Sequence, residues 1–190
     1  MTTPGPITLL SVMGALMMLT GCPPRDPTLP PDAKFQLEGS VGQLFDLGYD
    51  EARIQLATED VALLFVRTRP LETRLPDGGL AMNEMTGVTE DYPIKISYAL
   101  WNDQIPVKTR VNLAEVDPDD PKKHRAVVTR DVLNDPRKTY PTIQIGTLIF
   151  NSLPEAGAKV TGDFNITFSN GIETASGRTV FGHFEAKVAQ

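Results

Sequence analysis

Lys159-Val160-Thr161-Gly162-Asp163-Phe164-Asn165-Ile166-Thr167-Phe168 alternates without a break. Val160, Gly162, Phe164, Ile166 and Phe168 fall on one face, and Lys159, Thr161, Asp163, Asn165 and Thr167 on the other. A period of two is the pleat of a half-buried β-strand, so the stretch reads as a strand with a wet side and a dry side. Thr179 to Val188 repeats the pattern through Val180, Gly182, Phe184, Ala186 and Val188. Both stretches carry Gly-x-Phe, at Gly162-Asp163-Phe164 and Gly182-His183-Phe184. A glycine leaves a strand interior bare, and an aromatic ring on the neighbouring strand can cover it. The two stretches are therefore expected to pair, with rings over glycines.

Outward from this pair the same reasoning gives further strands. Ile143 to Phe150 precedes it, set off by Pro154-Glu155-Ala156-Gly157, and Asn170-Gly171 punctuates the pair itself. Upstream, Arg125 to Leu133 reads as a strand. Ile94, Ile96, Tyr98 and Leu100 form a face that Asn102-Asp103 would turn into a return strand through Val107, Thr109, Val111 and Leu113. Val61 to Val66 is apolar on both faces, as a central strand must be. Thr58-Glu59-Asp60 separates it from the alternating Ala52, Ile54 and Leu56, and Phe35, Leu37, Gly39 and Val41 open the series. Arg69 to Tyr92, with Pro70, Pro76, Asp77-Gly78-Gly79 and Gly87, shows no alternation and reads as a long loop carrying Met82 and Met85. The expected fold is all-β: an antiparallel β-sandwich of eight or nine strands over residues 35–190, with a lipocalin-like barrel as the alternative.

The beginning of the chain is different. Ile7 to Leu19 is an uncharged apolar run, too short for a membrane span of about 20 residues and right for the core of an export signal. It ends at Leu19-Thr20-Gly21-Cys22, which holds the only cysteine and precedes Pro23-Pro24. This tetrapeptide resembles the lipobox of bacterial lipoproteins. The resemblance implies that residues 1–21 are a signal peptide cleaved between Gly21 and Cys22, and that Cys22 receives a diacylglycerol and an acyl chain. More than one chain is what stable anchoring requires. Residues 1–21 depart from the usual signal in carrying no Lys or Arg. Pro23 is not the aspartate of the best-known retention rule, so the resemblance points to the outer membrane. Residues 22–34 would form a lipidated tether, extended by its prolines at about 3.1 Å per residue. The Gly-x-Phe pair in turn looks like the closing meander of β-rich bacterial lipoproteins of unassigned function, which implies a fold and no chemistry.

The net charge is −6, with no stripe of Lys or Arg, which argues against nucleic acid and against electrostatic attachment to anionic lipid. A mature chain of about 170 residues is long enough for one well-buried core. No motif for nucleophilic, metal or phosphate chemistry occurs. His124 and His183 lack companion ligands, and Asp117, Asp119 and Asp120 lack calcium-loop spacing, so no metal and no cofactor are expected. Trp101, the lone tryptophan, either anchors a partner together with Asn102 and Asp103 or folds back over the sheet edge. Met82 and Met85 in the long loop are further contact candidates. The expectation is a non-enzymatic envelope lipoprotein that binds a protein partner at the outer membrane. Its rivals are a carrier with an apolar cavity lined by Phe164, Phe168, Phe184 and Leu64, and a polysaccharide hydrolase with paired carboxylates beside Trp101.

Overall fold

A computed structural model describes residues 33–70, 88–101, 105–133 and 135–189. The strands are β1 (Phe35–Gln36), β2 (Gly48–Tyr49), β3 (Glu51–Leu56), β4 (Asp60–Pro70), β5 (Val88–Ala99) and β6 (Val111–Asn112). They continue with β7 (Ala126–Val132), β8 (Asp135–Thr139), β9 (Ile143–Phe150), β10 (Lys159–Phe168) and β11 (Thr179–Val188). β1 and β2 pair alone, and the other nine form one sheet in the order β6-β9-β10-β11-β3-β4-β5-β7-β8.

The two Gly-x-Phe strands, β10 and β11, are neighbours inside this sheet. In their register Gly162 stands opposite Phe184 and Phe164 opposite Gly182, so each Gly-x-Phe covers the glycine of the other. A Cβ built on Gly162 would lie 2.4 Å from Phe184 Cζ. β9, β10 and β11 run as the alternation predicts, with Val160, Phe164, Ile166, Phe168, Val180, Phe184, Ala186 and Val188 all buried. Each fully buried Val, Ile or Phe among these stabilises the fold by roughly 1.5–3 kcal/mol.

The fold is all-β, and its facing layers are two halves of one continuous curled sheet. β8 ends the strand order and β9 stands second from its other end, yet only residues 140–142 join them. Such a link spans at most roughly 14 Å, so the two margins must come together. At the other end of the strands, Arg125 N donates to Glu115 O at 2.8 Å, stitching the chain after β6 to the chain before β7. One apolar cluster fills the inside, from Val111 and Leu113 to Ala126 and Val128. Among the described residues every ladder between these strands is antiparallel except that of β3 with β11, which is parallel, with Ala52 beside Ala186 and Ile54 beside Val188. This pairing joins the two termini of the domain and makes the sheet mixed.

Three local expectations give way. Asn102 and Asp103 lie outside the described residues, and the return strand expected after them does not pair with β5: Val111–Asn112 pairs with β9, while β5 pairs with β4 and β7. Positive φ values at Trp101 (49°) and Lys108 (56°) mark where the chain leaves strand geometry. The unpatterned stretch 69–92 is partly strand: β4 reaches Pro70 and β5 starts at Val88. The cause is Pro93, which has no N–H for a ladder. Phe65 pairs with Ile94 but Arg67 with Asp91, so β5 carries one extra residue at Tyr92-Pro93, and the alternation changes phase there. Finally, Gly39 (φ 117°) ends the strand pattern after Phe35, and Ser40–Gln43 form a 3₁₀ turn whose Val41 plugs the core.

Candidate functional site

Trp101 follows β5 at one end of the curled sheet. It is half-buried, and its indole lies against the Arg125 guanidinium, whose carbon is 5.1 Å from the Trp101 ring and 5.0 Å from the Tyr98 ring. A guanidinium between two aromatic faces is held by cation–π attraction. Glu115 closes an ion pair with the same guanidinium. Beside this stack is a cleft of about 380 Å³ whose walls include Arg110, Asn112 and Glu115. Trp101 Nε1 is buried and finds no hydrogen-bond partner among the described residues, and its φ of 49° is strained for a tryptophan. The site thus offers an aromatic–cation stack, an exposed cation in Arg110 and a half-buried indole, residue types that are enriched at protein interfaces.

The other residues named from the sequence are distributed as follows. Asn102, Asp103, Met82, Met85, Gly21 and Cys22 lie outside the described residues. His183 is exposed on β11, its Nδ1 3.0 Å from Asp163 Oδ1, and His124 lies in the 123–125 segment ahead of β7. Asp117 Oδ1 accepts from Asp119 N at 2.9 Å and Asp120 Oδ1 from Lys122 N at 3.1 Å, so these carboxylates fold a charged turn. Among the described residues no three His, Cys, Asp or Glu side chains gather as a metal site. Where a carrier would hold its ligand, rings meet: Phe65–Phe164 at 5.3 Å, Tyr140–Phe168 at 5.0 Å and Phe150–Phe184 at 6.1 Å.

The opposite end of the sheet holds a charged array that the sequence reading missed. Arg67 and Arg130 are buried, and Asp91 is wholly so. Asp91 pairs with Arg69 and accepts from Leu133 N at 2.7 Å, Arg67 pairs with Asp46, and Arg130 with Asp135. The Phe45 ring lies between Arg130 and Lys138, at 5.0 and 4.8 Å. The signal was present in Arg67 and Arg69, which stay in phase with Phe65. Its partner Asp91 was hidden by the phase change at Pro93.

Burial pushes the Asp46 carboxyl up, but the Gly48 N–H and the Arg67 guanidinium outweigh it and hold the group below its ordinary value. A carboxyl depressed in the folded state adds stability above its unfolded value of 3.8 and loses it as pH falls through the folded value. Asp46→Asn is therefore expected to lower stability at neutral pH by no more than about 1 kcal/mol, since Asp46 is half-exposed, and to flatten the decline in acid. Urea midpoints at neutral and acid pH check this; an unchanged acid slope would remove Asp46 from the account.

Comparison of the chain with protein-family models, curated proteins and solved structures finds no match.

Proposed function

We propose that this chain is a lipid-anchored envelope protein, held at the outer membrane through Cys22, that binds a protein partner with its Trp101 end and carries out no chemistry itself. The observation that supports this reading is the placement of the two ends. The chain enters the fold beside Asp50, which accepts from Lys34 N at 3.3 Å and from Thr68 N at 2.9 Å. Trp101 follows Ala99, which pairs with Asp60 at the far end of the same strand. From Thr68 to Asp60 is roughly 26 Å at about 3.3 Å per residue. A tether at one end of the strands leaves the aromatic–cation stack at the other end free for a partner beyond the membrane. The ring-filled interior favours a surface role over a carrier's.

Cys22→Ser is expected to abolish incorporation of a labelled fatty acid and to move the protein from the membrane to the soluble fraction. Retention in the membrane without label would sink the anchor. A photo-cross-linking side chain in place of Trp101 is expected to trap an envelope protein in intact cells, whereas one in place of Lys159, on the outer face of β10, is not. Equal capture from both positions would remove the Trp101 end from the reading.

A further inference from the structure

The cleft beside the Trp101 stack takes one wall from the start of β6, where Arg110, Val111 and Asn112 line it with Pro106, and Glu115 and Tyr98 complete its sides. This wall is pinned to β9: Val111 pairs with Leu148, and Lys108 N donates to Phe150 O at 2.7 Å. Lys108 and Trp101 are both held at positive φ, 56° and 49°. That conformation costs a non-glycine residue energy, and it gathers where a ligand is clamped.

The polar groups of the cleft are unevenly engaged. Glu115 is taken up by its ion pair with Arg125, and Asn112 Oδ1 accepts from Ala114 N at 3.1 Å, which leaves the exposed Asn112 Nδ2 to donate. Arg53, Arg67, Arg69, Arg125 and Arg130 each close an ion pair with a carboxylate, and Arg178 uses its guanidinium on Ser40 O and Gln43 Oε1. Arg110 and Arg137 are exposed and make no ion pair among the described residues, and of these two it is Arg110 that borders the cleft. What the cleft presents outward is therefore donors, the Arg110 fork and the Asn112 amide. Arg110 and Arg125 against Glu115 leave it one positive charge, on a chain whose net charge is −6.

We propose that this cleft receives an acidic side chain of the protein partner, its carboxylate held by the Arg110 guanidinium. The inference rests on the reading of the Trp101 end as a partner surface and names what the partner brings to it. A planar fork of N–H groups matches a carboxylate in two parallel hydrogen bonds. One carboxylate balances the single surplus charge, whereas a phosphate, with nearly two, would set negative charge against Glu115. The volume of about 380 Å³ lies in the range of small-ligand sites, roughly 300–1,000 Å³, so the residues flanking the carboxylate find room against Pro106.

The test is titration of the full, ¹⁵N-labelled chain in detergent with two blocked tripeptides, acetyl-Leu-Glu-Leu-amide and acetyl-Leu-Gln-Leu-amide, read by amide shifts. The glutamate peptide is expected to give saturable shifts confined to residues 105–116 and 125, and to bind about tenfold more tightly than the glutamine peptide. Arg110→Gln is expected to keep the unfolding midpoint, since the side chain is exposed, and to weaken the glutamate peptide by about tenfold. Arg137→Gln removes the same charge from β8 and is expected to keep the wild-type affinity. Equal binding of the two peptides, silence from both, an equal loss in Arg137→Gln, or the same shifts produced by sodium phosphate would each overturn the proposal. In intact cells, undiminished capture from the Trp101 position in an Arg110→Gln protein would also overturn it and leave the partner surface standing. Capture of nothing from that position would sink the surface, and the peptide titration then decides the carboxylate site by itself.

Discussion

Gly162→Ala is expected to destabilise the domain by about 3 kcal/mol, the upper end of what one added methyl does in a packed interior. The new Cβ would lie 2.1 Å from the backbone oxygen of Ile149 and 2.4 Å from Phe184 Cζ. A backbone oxygen cannot retreat without loosening the β9–β10 ladder, where Asp163 pairs with Ile149. Phe184 is 1% exposed and cannot swing into solvent. In a domain of this size the loss corresponds to roughly 6–12 °C in the thermal midpoint. Gly182→Ala is the control. Its Cβ would meet Leu37 Cδ2 at 2.9 Å, the end of a flexible side chain, and the Phe164 ring only at 3.6 Å. That substitution is expected to cost about 1 kcal/mol. Urea unfolding of both variants decides the matter: equal losses would mean that glycine content, and not the ring-and-carbonyl contact at Gly162, sets the effect.

The second large effect is expected from Arg69→Met. Asp91 is 0% exposed, and Arg69 provides its counter-charge. Removing one partner of a buried pair leaves the other charge desolvated, which costs about 3–5 kcal/mol. Arg69 keeps part of its surface in water, so the lower end, about 3 kcal/mol, is the expected loss here. Adding Asp91→Leu should restore much of it, because an apolar pair of similar volume often does as well as a buried ion pair. Leu133 N would then lose its acceptor, which limits the recovery. A double variant less stable than Arg69→Met would show that Asp91 acts through Leu133 and not through Arg69.

These expectations rest on features of unequal visibility in the sequence. Strands β9, β10 and β11 and the central position of β4 could be read from alternation and from apolar runs, because burial on one face or two is written directly into side-chain type. Even the covering of Gly162 and Gly182 was visible, since each glycine has its ring two residues away on the same face. Trp101 was visible as a residue, but its stack with Arg125 and Tyr98 was not, because that contact joins segments about 24 residues apart through sheet curvature.

By itself, then, the sequence determined the all-β class, the dry faces of the closing strands and the apolar run ending at Cys22. These follow from local periodicity and composition, which each residue carries with it. Tertiary structure alone decided the curl of the single sheet, the parallel pairing of β3 with β11, and the charged array around Asp91. Each depends on which distant strands meet, and at Pro93 a missing N–H shifts the register by one residue and turns the following side chains to the opposite face.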